Sequence, residues 1–153
     1  MFSIRKDGEI RAAIKARLQD TNEDYNVFDM RYSAIQPDEC PAVNIIVPKW
    51  IPELDSSRGV YKTIRKVVLV LIVSGQDSVS DSASNARTKL DDLTDAVFRS
   101  TLFRHETLGV PGVMAFRLTE VDLEPDDKTD KLYLKRYLTF DCVTADKFPV
   151  KSA

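Results

Sequence analysis

The chain has 153 residues and a mass of 17.3 kDa, enough for one domain with a core of its own. With 43% hydrophobic and 30% charged residues it has a globular rather than a disordered composition. A net charge of −2, with 22 basic residues interleaved among 24 acidic ones, excludes the dense Lys/Arg stripe that nucleic-acid binding uses.

The first expected element is a helix over Asp7 to Gln19, where Ile10, Ala13, Ile14 and Leu18 recur on one helical face. Asp7 suits the free amides at its start, and Lys15 and Arg17 suit the negative end of its dipole. Thr21 to Asp24 is polar turn chemistry. A strand is expected over Asn26 to Tyr32, with Val27, Asp29 and Arg31 alternating against Phe28, Met30 and Tyr32. After a turn at Gln36 to Glu39, Pro41 to Pro48 reads as a short strand bounded by prolines, which cannot donate a ladder bond. Lys49 to Gly59 reads as a connecting loop longer than a hairpin needs, and it carries the only tryptophan, Trp50.

The next stretch, Val60 to Gly75, is the one around which the chain is organised. Its second half, Val67 to Val73, is an unbroken apolar run rich in β-branched residues. A strand apolar on both faces belongs at the centre of a sheet and calls for cover on both sides. The first half, Val60 to Lys66, alternates with Lys62, Arg65 and Lys66 and is expected to project beyond the covered core.

A long helix follows from Ser80 or Asp81 to about Leu102, with Ala83, Ala86, Leu90, Leu93, Val97 and Phe98 on its buried face. Gly109 to Gly112 breaks the chain. Val113 to Glu124 is a strand with Met114, Phe116 and Leu118 facing one way, and Pro125 to Asp130 is a turn. Leu132 to Thr144 closes the sheet, with Leu132, Leu134, Leu138, Phe140 and Cys142 on one face and Arg136 as the exception. The order α-β-β-β-α-β-β predicts one α+β domain over residues 1–153: a mixed or antiparallel sheet of about five strands with two helices on one face. Residues 5–146 are the expected core and 147–153 a mobile tail. Cys40 and Cys142 read as buried thiols rather than a disulfide. The longest apolar run is far short of a membrane span, and the N-terminus lacks a secretory h-region.

No constellation of residues points to catalysis, a cofactor or a metal. His105 is the only histidine, and no nucleophile motif partners it. Asp126, Asp127 and Asp130 lack the EF-hand pattern, the two cysteines lack zinc spacing, and no glycine-rich phosphate loop occurs. Asp91, Asp92 and Asp95 read as a solvated helix face. The chain is therefore expected not to be an enzyme. Two features remain: the Trp50 segment, which either tucks back onto its own domain or docks on a neighbour, and the charged half-strand after it. The candidate assembly residues are Trp50, Ile51, Leu54, Arg58, Lys62 and Arg65.

The order of elements resembles the tail terminator, or tail-completion, proteins of long-tailed bacteriophages and related tail-like particles. The resemblance rests on the helix at Asp7 to Gln19, PAVNIIVP at Pro41 to Pro48, the strand ending VLIVSG at Val70 to Gly75, LDDLTDAVF at Leu90 to Phe98, and LYLKRYLTFDC at Leu132 to Cys142. It covers roughly Asp7 to Asp146 and is architectural. It implies a structural virion subunit, made in a bacterial cytoplasm, that closes into a homomeric ring, typically a hexamer, on the head-proximal end of a tail tube. Such a ring stops tube growth and offers a surface for head–tail joining. The implied partners are the chain itself, the tail tube protein and a connector or neck protein, without membrane or sequence-specific nucleic acid. A neck or head–tail connector protein and a small α+β ligand-binding domain are the alternative readings.

Overall fold

The computed structural model describes residues 4–20, 24–53, 60–75, 82–104, 107–126 and 133–147. Several expectations fall outside these residues: the turn at Thr21 to Glu23, Leu54, Arg58, the helix start at Ser80 or Asp81, His105, Asp127, Asp130, Leu132 and residues 148–153 of the expected tail, whose first residue, Lys147, is corrected to strand.

Helix α1 spans Ile4–Asp20 and α2 spans Ser82–Arg99. Five strands, β1 (Asn26–Asp29), β2 (Ala42–Glu53), β3 (Val60–Ser74), β4 (Val113–Asp126) and β5 (Tyr133–Lys147), form one sheet in the order β1-β2-β3-β5-β4. The pairing of β1 with β2 is parallel and the others are antiparallel, so the fold is α+β with a mixed sheet. The apolar strand β3 is the middle one, paired with β5 from Val60↔Lys147 to Ser74↔Tyr133.

Both helices lie on one face. Val67, Leu69, Leu71 and Val73 join Ile10, Ile14 and Leu18 of α1 and Ala86, Leu90, Leu93 and Val97 of α2 in a single core. The same face of β5 supplies Leu134, Leu138, Phe140 and Cys142. Arg136, the exception in that series, reaches Thr94 Oγ1 at 2.8 Å and Asp91 at 3.1 Å, so its charge ends on α2 rather than in the core. The C-terminal carbonyls of α1, which lack partners within the helix, accept from Tyr25 Oη at Leu18 and from Thr101 Oγ1 at Arg17.

The second face of the sheet carries no helix among the described residues, yet Val70 and Ile72 of β3 are buried there as expected and Val68 is partly covered. At β1 and β2 this face is covered by the crossover that two parallel neighbours require. Arg31 N donates to Asn44 Oδ1 at 3.0 Å, Asn44 Nδ2 donates to Arg31 O at 2.9 Å, and the Arg31 guanidinium lies 4.8 Å from the Phe28 ring centroid. The crossover ends in a 3-10 turn, Pro37–Glu39, tied by an Arg31–Glu39 ion pair that holds the Glu39 carboxyl below its ordinary range. Strand β1 is accordingly shorter than expected, ending at Asp29 where Met30 takes a φ of 50°.

Bulges decide which side chains face the core. In β4 the register shifts between Val113 and Ala115, so Val113 and Phe116 are buried whereas Met114 is 50% exposed. The expected Met114–Phe116–Leu118 face is corrected to Val113, Phe116 and Leu118.

Cys142 is fully buried, Cys40 is half-buried, and both are free thiols. Burial, then the nearby Glu39 and Asp38 carboxylates, push the Cys40 thiol up to about 11. At pH 8 its thiolate fraction, and hence its rate of alkylation by iodoacetamide, is expected to be about a hundredfold below that of an ordinary thiol. Peptide mapping of the alkylated chain checks this, with urea-unfolded protein as the fast reference.

Candidate functional site

Strand β2 does not stop at Pro48. It continues to Glu53, paired with β3 through Lys49↔Lys66, Trp50↔Arg65, Ile51↔Ile64, Pro52↔Thr63 and Glu53↔Lys62. The segment expected as a loop from Lys49 is therefore strand as far as Glu53. Pro48 is accommodated because one extra residue is inserted between Ile46 and Lys49, and a bulge tolerates a residue that cannot donate; Pro52, opposite Thr63, lies where β2 is an edge strand, since β1 pairs it only as far as Ile45. With β5 alongside to Lys147, three strands run on together as an arm past Val67, the last apolar core residue of β3; the core residues Cys142 and Val113 still lie beside its root, in register with Arg65 and with Thr144.

The extra residue also reverses the facing of β2. Before it, Val43 and Ile45 face the helices; after it, Trp50 pairs with Arg65 and shares its helix-side face. There Trp50 covers a buried charge. Arg65 is 0% exposed, its guanidinium 4.4 Å from the Trp50 ring centroid. Asp7, from the first turn of α1, accepts from Arg65 at 2.5 Å and from the Trp50 indole N–H at 2.8 Å. Arg65 Nε donates to Thr144 Oγ1 at 3.1 Å, and Thr144 in turn reaches Thr63 O at 3.3 Å. This network joins α1 to all three arm strands. A buried guanidinium is tolerated only with such pairing.

The expectation that Arg65 belongs to an exposed interface is corrected: the Asp7 carboxylate and the Trp50 ring make it an internal group. Of the two readings of Trp50, the structure supports the one in which it tucks back. The Thr63 hydroxyl is buried at the same junction and has no hydrogen-bond partner among the described residues. Thr63→Val is expected to raise stability by up to about 1 kcal/mol in urea unfolding, since it removes an unsatisfied donor at nearly constant shape.

Among the described residues, no helix covers the opposite face of the arm. Ile51, 39% exposed, lies in register with Ile64, Val143 and Ala115, an apolar row across β2, β3, β5 and β4. Lys49 and Lys62 are exposed beside it, whereas Lys66 is tied to Asp141 at 2.5 Å. Further along the same face, Val68, Asp122, Tyr137 and Thr139 line a shallow depression of about 370 Å³, with Glu120 exposed next to it on β4. Of the sequence candidates, then, Ile51 and Lys62 share the open face, Trp50 and Arg65 lie on the other, and Leu54 and Arg58 are outside the described residues. Sequence reasoning missed Asp7, Thr144, Ile64 and Val143; the period-2 alternation of Lys62, Ile64 and Lys66 was the available signal for the open face.

A second cavity, about 460 Å³, opens at the far end of the sheet between α2 and the crossover, lined by Tyr25, Cys40, Pro41, Val73, Leu93 and others. Its thiol is a weak nucleophile at neutral pH, and among the described residues no cluster of His, Cys, Asp and Glu could hold a metal ion. No described helix is long and apolar enough to cross a membrane.

No family model matches the chain, and no curated protein matches it in sequence. Among solved structures, one whose name describes no function is 18% identical, covers 98% of this chain and 100% of its own, and gives a TM-score of 0.40. A likeness of that degree carries no argument about family or function.

Proposed function

We propose that this chain is the subunit of a ring that caps the end of a phage or phage-like tail tube, terminating its growth and presenting a surface for head–tail joining. The observation that carries the reading is the three-stranded arm: an extension of the sheet, anchored to α1 through Arg65 and Asp7, with a half-exposed apolar row on the face that no described helix covers. A monomer has no need of such a projection, whereas a ring needs each subunit to reach its neighbour by two different patches. The element order in the sequence supports the same reading.

Tube capping tests this directly. Purified chain added to polymerising cognate tail tube protein is expected to shorten the tubes and to leave a ring of density at one end in negative-stain images. Tubes that keep their length distribution, with bare ends, would overturn the proposal.

A further inference from the structure

The helix-free face carries two unlike patches. On the arm, the Ile51–Ile64–Val143–Ala115 row is flanked by the exposed cations Lys49 and Lys62, with Glu53 at the tip. On the body, the depression formed by Val68, Tyr137 and Thr139 carries Asp122, and Glu120 lies exposed beside it. One patch is apolar and basic, the other aromatic and acidic, so their chemistries are complementary. They cannot meet within one chain, because both lie on the same face of the same paired sheet. Charge complementarity therefore selects the occupant of each patch: the other patch, on another copy.

Resting on the ring reading above, we infer that the arm face of one copy lies on the β4–β5 body face of the next, with Ile51 directed at the depression and Lys49 and Lys62 opposite Glu120 and Asp122. When the second copy is set so that its own arm stays free for a third, the contact is heterologous and repetition closes a ring if the rotation between copies divides the circle; the reciprocal two-fold arrangement of the same patches would stop at a dimer and would overturn this pairing as the ring contact. Its ion pairs lie at the surface, so the association weakens as salt rises.

Two full-length double variants test the pairing by sedimentation velocity: an arm-reversed chain, Lys49→Glu with Lys62→Glu, and a body-reversed chain, Glu120→Lys with Asp122→Lys. Each alone is expected to associate at least about tenfold more weakly than the parent chain, because like charges then face each other. An equimolar mixture is expected to recover the parent mass, since alternating copies restore every contact. Recovery also shows that both variants fold. Parent-like masses for the single variants, or a mixture no heavier than its components, would overturn the arm-to-body pairing while leaving tube capping untouched. A parent chain that stays monomeric at every concentration would overturn the pairing between free copies, and the ring reading would still stand or fall on the tube experiment.

Discussion

Asp7→Ala is expected to lower the unfolding free energy by about 3–5 kcal/mol, because it strips the carboxylate from a guanidinium that has no access to water. Arg65 is fully buried, and Asp7 is also the acceptor for the Trp50 indole, so one truncation removes both bonds at 2.5 and 2.8 Å. Thr144 Oγ1, which also accepts from Arg65, is neutral and cannot replace the carboxylate's charge. Urea unfolding followed by far-UV circular dichroism measures the loss. A companion pair separates charge from packing: Asp7→Leu combined with Arg65→Met is expected to recover most of the stability, since apolar replacement of a buried ion pair is often close to neutral. A double variant as unstable as Asp7→Ala would mean that shape rather than charge holds the junction. Trp50→Ala follows the same logic at smaller scale, about 2 kcal/mol, because the ring is only half-buried but covers Arg65. It therefore acts on folding and not on assembly alone.

Phe140→Ala is expected to cost about 3–5 kcal/mol by opening a cavity that the strands around it cannot close. Phe140 is 1% exposed and stacks on Phe116 with ring centroids 4.5 Å apart and planes within 6°. It also meets Phe103 at 5.7 Å, and Phe103 meets Phe98 at 4.8 Å. The ring thus links β4 and β5 to the end of α2, and its loss is felt by all three. The melting temperature is expected to fall by about 10 °C. Phe140→Leu, which keeps most of the volume, is expected to cost less than about 1.5 kcal/mol. Phe98→Ala, at a ring 40% exposed, should also fall well short of the Phe140→Ala value. Equal losses at Phe140 and Phe98 would refute the assignment of Phe140 as the inner ring of this series.

The central strand was legible because its signal is local: seven consecutive apolar residues, Val67 to Val73, suit the middle of a sheet and little else. The inward face of β5 was legible by alternation, and Arg136 could be recognised as its exception although its destination on α2 could not. Bulges hid the rest. A single inserted residue near Pro48 converts an apparent proline-bounded stop into a continuing strand and turns Trp50 over. Another near Met114 exchanges that side chain with Val113 at the core. Arg65 looked solvated because it stands among Lys62 and Lys66 in a charged half-strand, although period 2 puts it on the Val67 side; the carboxylate that pairs with it lies 58 residues away on another element. Long-range pairing of this kind leaves no mark in a local window.

The pairing of β3 with β5 has a consequence for biosynthesis. Val143, one member of the apolar row on the arm, is synthesised well after Ile64 and meets it only when β5 reaches its place. Contacts between such distant segments form late, since loop closure must precede them. Until then β3 has β2 on one side and an open edge on the other. The apolar row of the arm is thus completed only when β5, synthesised after β2 and β3, pairs with β3. A nascent chain that has not yet made β5 cannot present the whole row.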